Sequence, residues 1–125
     1  MNPNIMLSIL RIVAGLLFLE HGSSKILGFP FDSTMHHPAL NSLAGVSGLI
    51  ELIGGTLFAL GLFTRVVAFI LSGEMAVAYF MVHAPHGFYP LINKGELAVL
   101  YCFVFLYFVF AGGGVFSLDA AMRRK

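Results

Sequence analysis

LAGVSGLIELIGGTLFALGL, residues 43–62, carries a single charge, Glu51, in twenty residues. At a rise of 1.5 Å per residue such a helix is about 30 Å long, the thickness of a bilayer's hydrocarbon core. Ser47, Glu51, Gly55 and Ala59 recur at every fourth position. They form a stripe of mostly small side chains, which lets a neighbouring helix approach closely. The stretch therefore reads as a transmembrane helix that turns Glu51 toward a partner helix.

Three more apolar stretches flank it, at 5–26, 66–82 and 95–116. Each falls in the range of roughly 17–25 residues that crosses the hydrocarbon core, with 66–82 near the lower limit. Composition agrees. Charged residues are 10% and hydrophobic residues 58%, against about 25% and just under half in a soluble domain. Too few polar side chains exist to cover the chain in water, so its expected solvent is lipid. A net charge of +1 excludes a basic field for nucleic acid. One cysteine excludes an internal disulfide and any Cys-x-x-Cys pair. The first stretch is too long for a cleavable signal peptide and contains Arg11, so it is expected to remain in place.

The expected fold is all-α: an integral membrane four-helix bundle forming one domain over residues 1–125. Phe63-Thr64-Arg65 reads as a tight joint between the second and third spans. Residues 28–42, with two prolines, Asp32 and His36-His37, read as a loop outside the membrane. Residues 83–94, with Pro85, Pro90 and Gly87-Phe88-Tyr89, read as an interfacial loop. Asn93 and Glu96 have capping-box spacing at the start of the fourth helix. Ser117 is placed to cap a short amphipathic helix. Arg65, Arg123, Arg124 and Lys125 fall on one side, so the positive-inside rule puts both termini in the cytoplasm. Arg11, about 9 Å inside the first span, is expected to snorkel back to that surface.

Each expected helix carries one glutamate: Glu20, Glu51, Glu74 and Glu96. Ionisable groups in the bilayer are costly and face the bundle interior. Counting from the outer ends, Glu20, Glu51 and Glu74 lie about 9–12 Å deep and share one layer, while Glu96 is shallower. His21 and Lys25 lie one turn apart on one face, with Glu20 rotated about 100° from His21. Glu74 aligns with Ala78 and Met81. His83, nine residues beyond Glu74, joins the same pocket only if the helix breaks before Pro85. Glu20, His21, Glu51 and Glu74 are the candidate proton-handling residues, and Lys25, Tyr79, His83 and Glu96 the candidate pocket.

Plainer roles stand beside these. Glu96 serves equally as a cap, and Lys25 as a snorkelling cation or a partner for Glu20. His36 and His37 suit an ordinary loop, Cys102 an inert core thiol, and the aromatic run 101–110 lipid contact and core packing. The glutamates themselves could form a structural network.

Leu10-Arg11 through His21-Gly22-Ser23-Ser24-Lys25 resembles the first-helix signature of the DoxX family, an apolar run closing on HGxxK. Glu51-Leu52-Ile53-Gly54-Gly55 with Gly61-Leu62-Phe63-Thr64-Arg65 is similar to its second block. Residues 75–80 with His83, Pro85 and Gly87-Phe88-Tyr89-Pro90 resemble its most recognisable block, extended by Asn93, Gly95-Glu96-Leu97-Ala98 and Leu100-Tyr101-Cys102-Phe103, and closed by Ser117-Leu118-Asp119. The resemblance covers nearly the whole chain. The family takes its name from a membrane subunit of thiosulfate oxidation that passes electrons to quinone, and other members are linked to redox and thiol-stress complexes. What the resemblance implies is a redox role near the quinone pool of the inner membrane, with a redox partner protein.

The residues allow such a role, since quinone reduction needs protons that shifted carboxylates or imidazoles supply. No nicotinamide or flavin fingerprint is present, so electrons must come from elsewhere. A metal centre fits less well: di-iron bundles use Glu-x-x-His pairs, which this chain lacks. The same residues would also suit a non-enzymatic assembly subunit or a small proton-coupled transporter. Against a transporter stand the small size and the lack of an evident inverted repeat, which a homo-oligomer, the expected state, would supply.

Overall fold

The chain enters its first helix with two start signals in succession. Asn2 accepts a hydrogen bond from the Asn4 N–H at 2.8 Å, and Pro3 supplies the first helical residue. The computed structural model describes residues 2–30 and 40–123. Helix α1 (Pro3–Leu27) ends at Gly28, whose φ of 74° is the left-handed backbone that glycine adopts without cost. Helix α2 (Leu43–Leu60) starts under Ser42, whose hydroxyl accepts from the Gly45 N–H, and ends at Gly61. Helix α3 (Thr64–Ala78) runs on through a π-helical turn, Tyr79–His83, and a 3-10 turn, Ala84–His86. The short α4 (Pro90–Asn93), then α5 (Glu96–Ala111) and α6 (Leu118–Arg123) complete the chain. No strand occurs among the described residues. Asp32, His36, His37, Arg124 and Lys125 lie outside them.

Three helical stretches, Pro3–Leu27, Leu43–Leu60 and Thr64–His86, are long and apolar enough to cross a membrane. Together with the overall apolarity they make this an all-helical membrane protein. The α5 helix has 16 residues, about 24 Å, and stops five residues short of the expected 116. Gly112 and Gly114 take φ of 76° and 83° there, so the backbone turns aside once the apolar run is spent.

Two close-packed pairs, α1 with α2 and α3 with α5, meet along a sparser seam between α2 and α3. The first pair is backbone on backbone. A Cβ on Gly22 would lie 2.8 Å from the Glu51 carbonyl carbon and Leu52 Cα, and one on Gly15 2.8 Å from Ala59 Cα. Gly55 meets Leu19 Cα in the same way at 3.0 Å. The centre is aromatic: Phe18, Phe58, Phe105 and Phe108 are buried, and edge-to-face contacts at 5.0 Å run from Phe18 through Phe105 and Phe58 to Phe108.

Arg11 corrects an expectation. It does not snorkel; only 1% of it is exposed. Its guanidinium donates to the carbonyls of Gly113, of Phe116 at 2.7 Å and of Ala59 at 3.3 Å. These are helix-end and loop acceptors with no intrahelical donor, and the planar five-donor group is suited to serving several at once. The Ser8 hydroxyl joins it, accepting from the Phe116 N–H at 3.0 Å. The start of α1, the α2–α3 joint and residues 112–119 thus gather at one end. There Ser117 caps α6 through the Ala120 N–H, as expected. Asp119 accepts from the N–H groups of Phe63 and Thr64 at 2.8 and 2.9 Å, capping α3 across the fold because Phe63 offers no cap of its own.

The helix contact and the cross-fold cap can each be tested. Gly22→Val forces α1 from α2 and lowers the thermal midpoint of the detergent-solubilised protein, by the ~1–3 kcal/mol of an overpacked contact. Gly73→Ala, which meets nothing within 4 Å, does not lower it, since alanine is the better helix former; equal midpoints for the two would refute the close contact. Burial alone would raise the Asp119 carboxyl. The bonds from Thr64 and Phe63 and the charge of Arg123 outweigh it and hold the group below its ordinary 3.8. A depressed folded value gives stability that is present above the unfolded value and lost as pH falls through the folded one. The midpoint gap between wild type and Asp119→Ala, about 1 kcal/mol, is therefore constant above about pH 5 and narrows below about pH 4.

Candidate functional site

Because Gly22 brings the α1 and α2 backbones together, Lys25, nearly one turn further on, reaches across to α2. Its Nζ sits 3.0 and 3.2 Å from the two oxygens of Glu51, which is 3% exposed. Lys25 therefore pairs with Glu51 and not with Glu20, because the five-residue offset from Glu20 turns it toward α2. One turn before Glu51, the Ser47 hydroxyl lies 3.0 Å from Glu51 Oε2 and 2.8 Å from Glu74 Oε2 on α3. This bridge spans the sparse α2–α3 seam. The other Glu74 oxygen, Oε1, is buried and has no hydrogen-bond partner among the described residues.

The donors can be counted. A serine hydroxyl has one hydrogen, so Ser47 donates to one carboxylate only. The second contact is favourable when that carboxyl brings a proton of its own. With Lys25 cationic and one carboxyl protonated the set is neutral, the least costly state within a bilayer. Lys25 rests on both oxygens of Glu51, so its charge is met there, while Glu74 meets only the Ser47 hydroxyl.

Glu51 and Glu74 open on a cavity of about 670 Å³ between the two helix pairs. His21, Lys25, Ser47, His83, Lys94 and Tyr101 supply the rest of its polar wall, and Val46, Ile70, Val77 and Leu97 are among its apolar residues. His83 arrives there through the π-helical turn. A π turn holds more residues than an α turn, so each advances through a smaller angle. The helix thereby brings His83 round toward the Glu74 side before Pro85, by underwinding where a break was expected. His83 Nδ1 lies 3.1 Å from the Asn93 carbonyl. A carbonyl only accepts, so Nδ1 carries the hydrogen in the neutral ring, and Nε2 remains to take up a proton.

Glu20, Glu96 and Tyr79 do not reach the cavity wall. Glu20 is exposed, since the 100° step from His21 turns it away. Glu96 is exposed in the first turn of α5. Nor does the expected capping box form: Gly95 is the cap residue of α5, and Asn93 Oδ1 accepts from the Gly95 N–H at 2.8 Å. Asn93 Nδ2 donates to the Tyr79 hydroxyl and to the Gly87 carbonyl. Tyr79 is thus held behind His83, its ring 6.4 Å away, and supports the wall without lining it. Sequence reasoning misses Ser47, Lys94 and Tyr101 as site residues. Ser47 stands in plain view one turn before Glu51, and counting hydroxyls among the small-residue stripe would find it. No three His, Cys, Asp or Glu among the described residues converge as a metal-ligand set.

Comparison with known proteins agrees with this architecture. The DoxX family profile matches residues 6–84. The chain belongs to the DoxX family. An uncharacterised Haemophilus influenzae protein is 49% identical over 95% of this chain and 92% of its own length. An uncharacterised membrane protein of Mycobacterium tuberculosis is 29% identical, covering 93% and 80%. A Bacillus subtilis protein whose name marks it as a candidate oxidoreductase, CatD, is 29% identical, covering 89% and 82%. No solved structure matches the chain at a significant level. Within this DoxX-family protein the apolar helices supply the frame, and the Lys25–Glu51–Ser47–Glu74 chain supplies its polar interior.

Removing Lys25 tests that chain. Lys25→Met leaves the Glu51 carboxylate buried and unpaired, a loss of about 3–5 kcal/mol. Adding Glu51→Gln to the same protein recovers most of it. Thermal unfolding of the two variants and of Glu51→Gln alone completes the cycle. Additive effects would mean that the pair contributes nothing.

Proposed function

We propose that this chain is a redox-associated protein of the inner membrane that binds a lipid-soluble quinone in the cavity between its helix pairs and delivers protons to it. The observation that carries this reading is Glu74: a half-buried carboxyl with one oxygen tied to Ser47 and the other buried without a partner among the described residues, on an otherwise largely apolar cavity. A quinone has the matching chemistry, a flat apolar ring with carbonyl acceptors. Reduction to the quinol takes two electrons and two protons. The electrons come from a separate redox partner protein. Glu74 gives the first proton to a quinone oxygen, and the Ser47 hydroxyl stays within hydrogen-bond reach of the Oε2 left behind. The carboxylate so formed stays close to Lys25, which limits the charge left in the membrane. His83, on the same wall with Nε2 uncommitted, returns a proton to Glu74 and supplies the second in the same way. His21, at the exposed edge of the cavity, is a second entry for protons. The name of the Bacillus subtilis relative belongs to the same reaction class.

In this reading α5 is a fourth, short crossing. It packs along α3 for its length and returns the chain to the end where α1 begins. An even number of crossings puts both termini on one side, and Arg65 and Arg123 make that side the cytoplasm. A homo-oligomer in the bilayer covers the exposed apolar faces not taken by lipid.

The test uses protein in nanodiscs freed of native quinone. A ubiquinone- or menaquinone-type headgroup analogue raises the thermal midpoint of the wild type. Glu74→Gln, which keeps the size and the hydrogen bond to Ser47, weakens that binding about tenfold, one charge-assisted hydrogen bond's worth. A saturating analogue that changes neither midpoint nor spectrum would remove the proposal, and equal binding by both proteins would remove Glu74 from it.

A further inference from the structure

At the end of the bundle opposite Lys25, a second cavity of about 540 Å³ opens between the start of α3 and the end of α5. We infer that it is a binding site for a phosphate-bearing anion, either the headgroup of an anionic phospholipid or a free phosphate. Arg65 and Arg123 both line it, and both are exposed. Neither has an ion-pair partner among the described residues, whose one salt bridge joins Lys25 to Glu51. Asp119 is the only acidic residue of the wall, and its two oxygens are already engaged by the N–H groups of Phe63 and Thr64. Two guanidinium groups therefore share the wall with a single carboxylate, which leaves the cavity with an excess of positive charge. Arg recognises phosphate through parallel N–H donors, and a basic pocket beside transmembrane helices is a recurrent headgroup site.

The floor is glycine. Gly112 turns with φ of 76°, and a Cβ there would come within 3.5 Å of Arg65 Nε and Nη2. At that ordinary contact distance the Arg65 guanidinium lies directly against the Gly112 turn. Asn4 adds an amide to the wall.

Depth and surroundings favour the lipid source. The cavity lies where the apolar run of α3 begins and that of α5 ends, the level of headgroups for a helix crossing the bilayer. Phe63 and Val66, 60% and 64% exposed, line its edge, and Phe110, beside it in the chain, is 74% exposed. Acyl chains would lie along them. This site is independent of the quinone cavity and stands or falls separately.

The experiment measures thermal midpoints in nanodiscs of phosphatidylcholine, with phosphatidylglycerol added in steps or with inorganic phosphate at matched ionic strength. Phosphatidylglycerol is expected to stabilise the wild type at a few per cent of total lipid. Arg65→Gln and Arg123→Gln each weaken that effect about fivefold, and Arg65→Lys, which keeps the charge, retains most of it. Stabilisation by inorganic phosphate, lost in the same variants, would identify a free phosphate as the occupant and also uphold the anion site. If neither anion acts beyond phosphatidylcholine, or if the double Gln variant responds as the wild type does, the inference is overturned. The double variant's midpoint in phosphatidylcholine alone shows whether it folds. Should it fall there, the Arg65→Lys comparison decides.

Discussion

The distance between α1 and α2 is the constraint on which the polar interior depends. Gly15, Gly22 and Gly55 remove every side chain from three successive contacts, so the two backbones touch. Lipid offers no hydrophobic drive for helices to associate, and close van der Waals approach must do it. The same approach sets how far a side chain has to reach. Lys25 meets both oxygens of a buried carboxylate because Gly22 lies less than a turn before it, against Leu52 and the Glu51 carbonyl. Put a Cβ at Gly22 and the ion pair must stretch before any charge is changed.

The second pair is joined to the first by far less. The α2–α3 seam is sparse, and the Ser47 hydroxyl between Glu51 and Glu74 is its main polar tie. A seam whose main polar tie is one hydroxyl bridge, lined on both sides by branched apolar residues, leaves room for a cavity. A fully packed four-helix core would have closed it. The aromatic ladder from Phe18 to Phe108 fills the other half of the interior, so the opening is confined to the Lys25 end.

Much of this is legible in the sequence, and the failures share a cause. Apolar length and small-residue spacing reveal the membrane helices and the inward turn of Glu51, because both are properties of a single helix. The HGxxK and later blocks point to the family, and the profile match bears that out. What stays hidden is the partner of each polar group. On its own helix Lys25 finds only Glu20, whereas its true partner stands on α2. Arg11 finds no acceptor on α1 and so reads as a surface-seeking cation; its acceptors are carbonyls of residues 59, 113 and 116, far along the chain. The π-helical turn that swings His83 round has no simple periodic signature. The early end of α5 rests on three glycines that read as part of an apolar run.

Arg11 and Lys25, fourteen residues and about 21 Å apart on one helix, show how the same physics yields two different ends. Arg11 is matched to carbonyls, neutral acceptors that hold no exchangeable proton, and a guanidinium keeps its charge at any ordinary pH. That end of the bundle can only be fixed. Lys25 is matched to a carboxylate, which is joined through a hydroxyl to a second carboxyl, so its partners, unlike those of Arg11, are groups able to hold a proton. Moving that proton alters the charge beside the cavity without altering a backbone contact. A bundle needing only stability could have used carbonyl acceptors at both ends, as it does around Arg11. The carboxyl pair is the costlier choice in a bilayer, and the proposed transfer of a proton to an occupant of the space next to Glu74 would account for it.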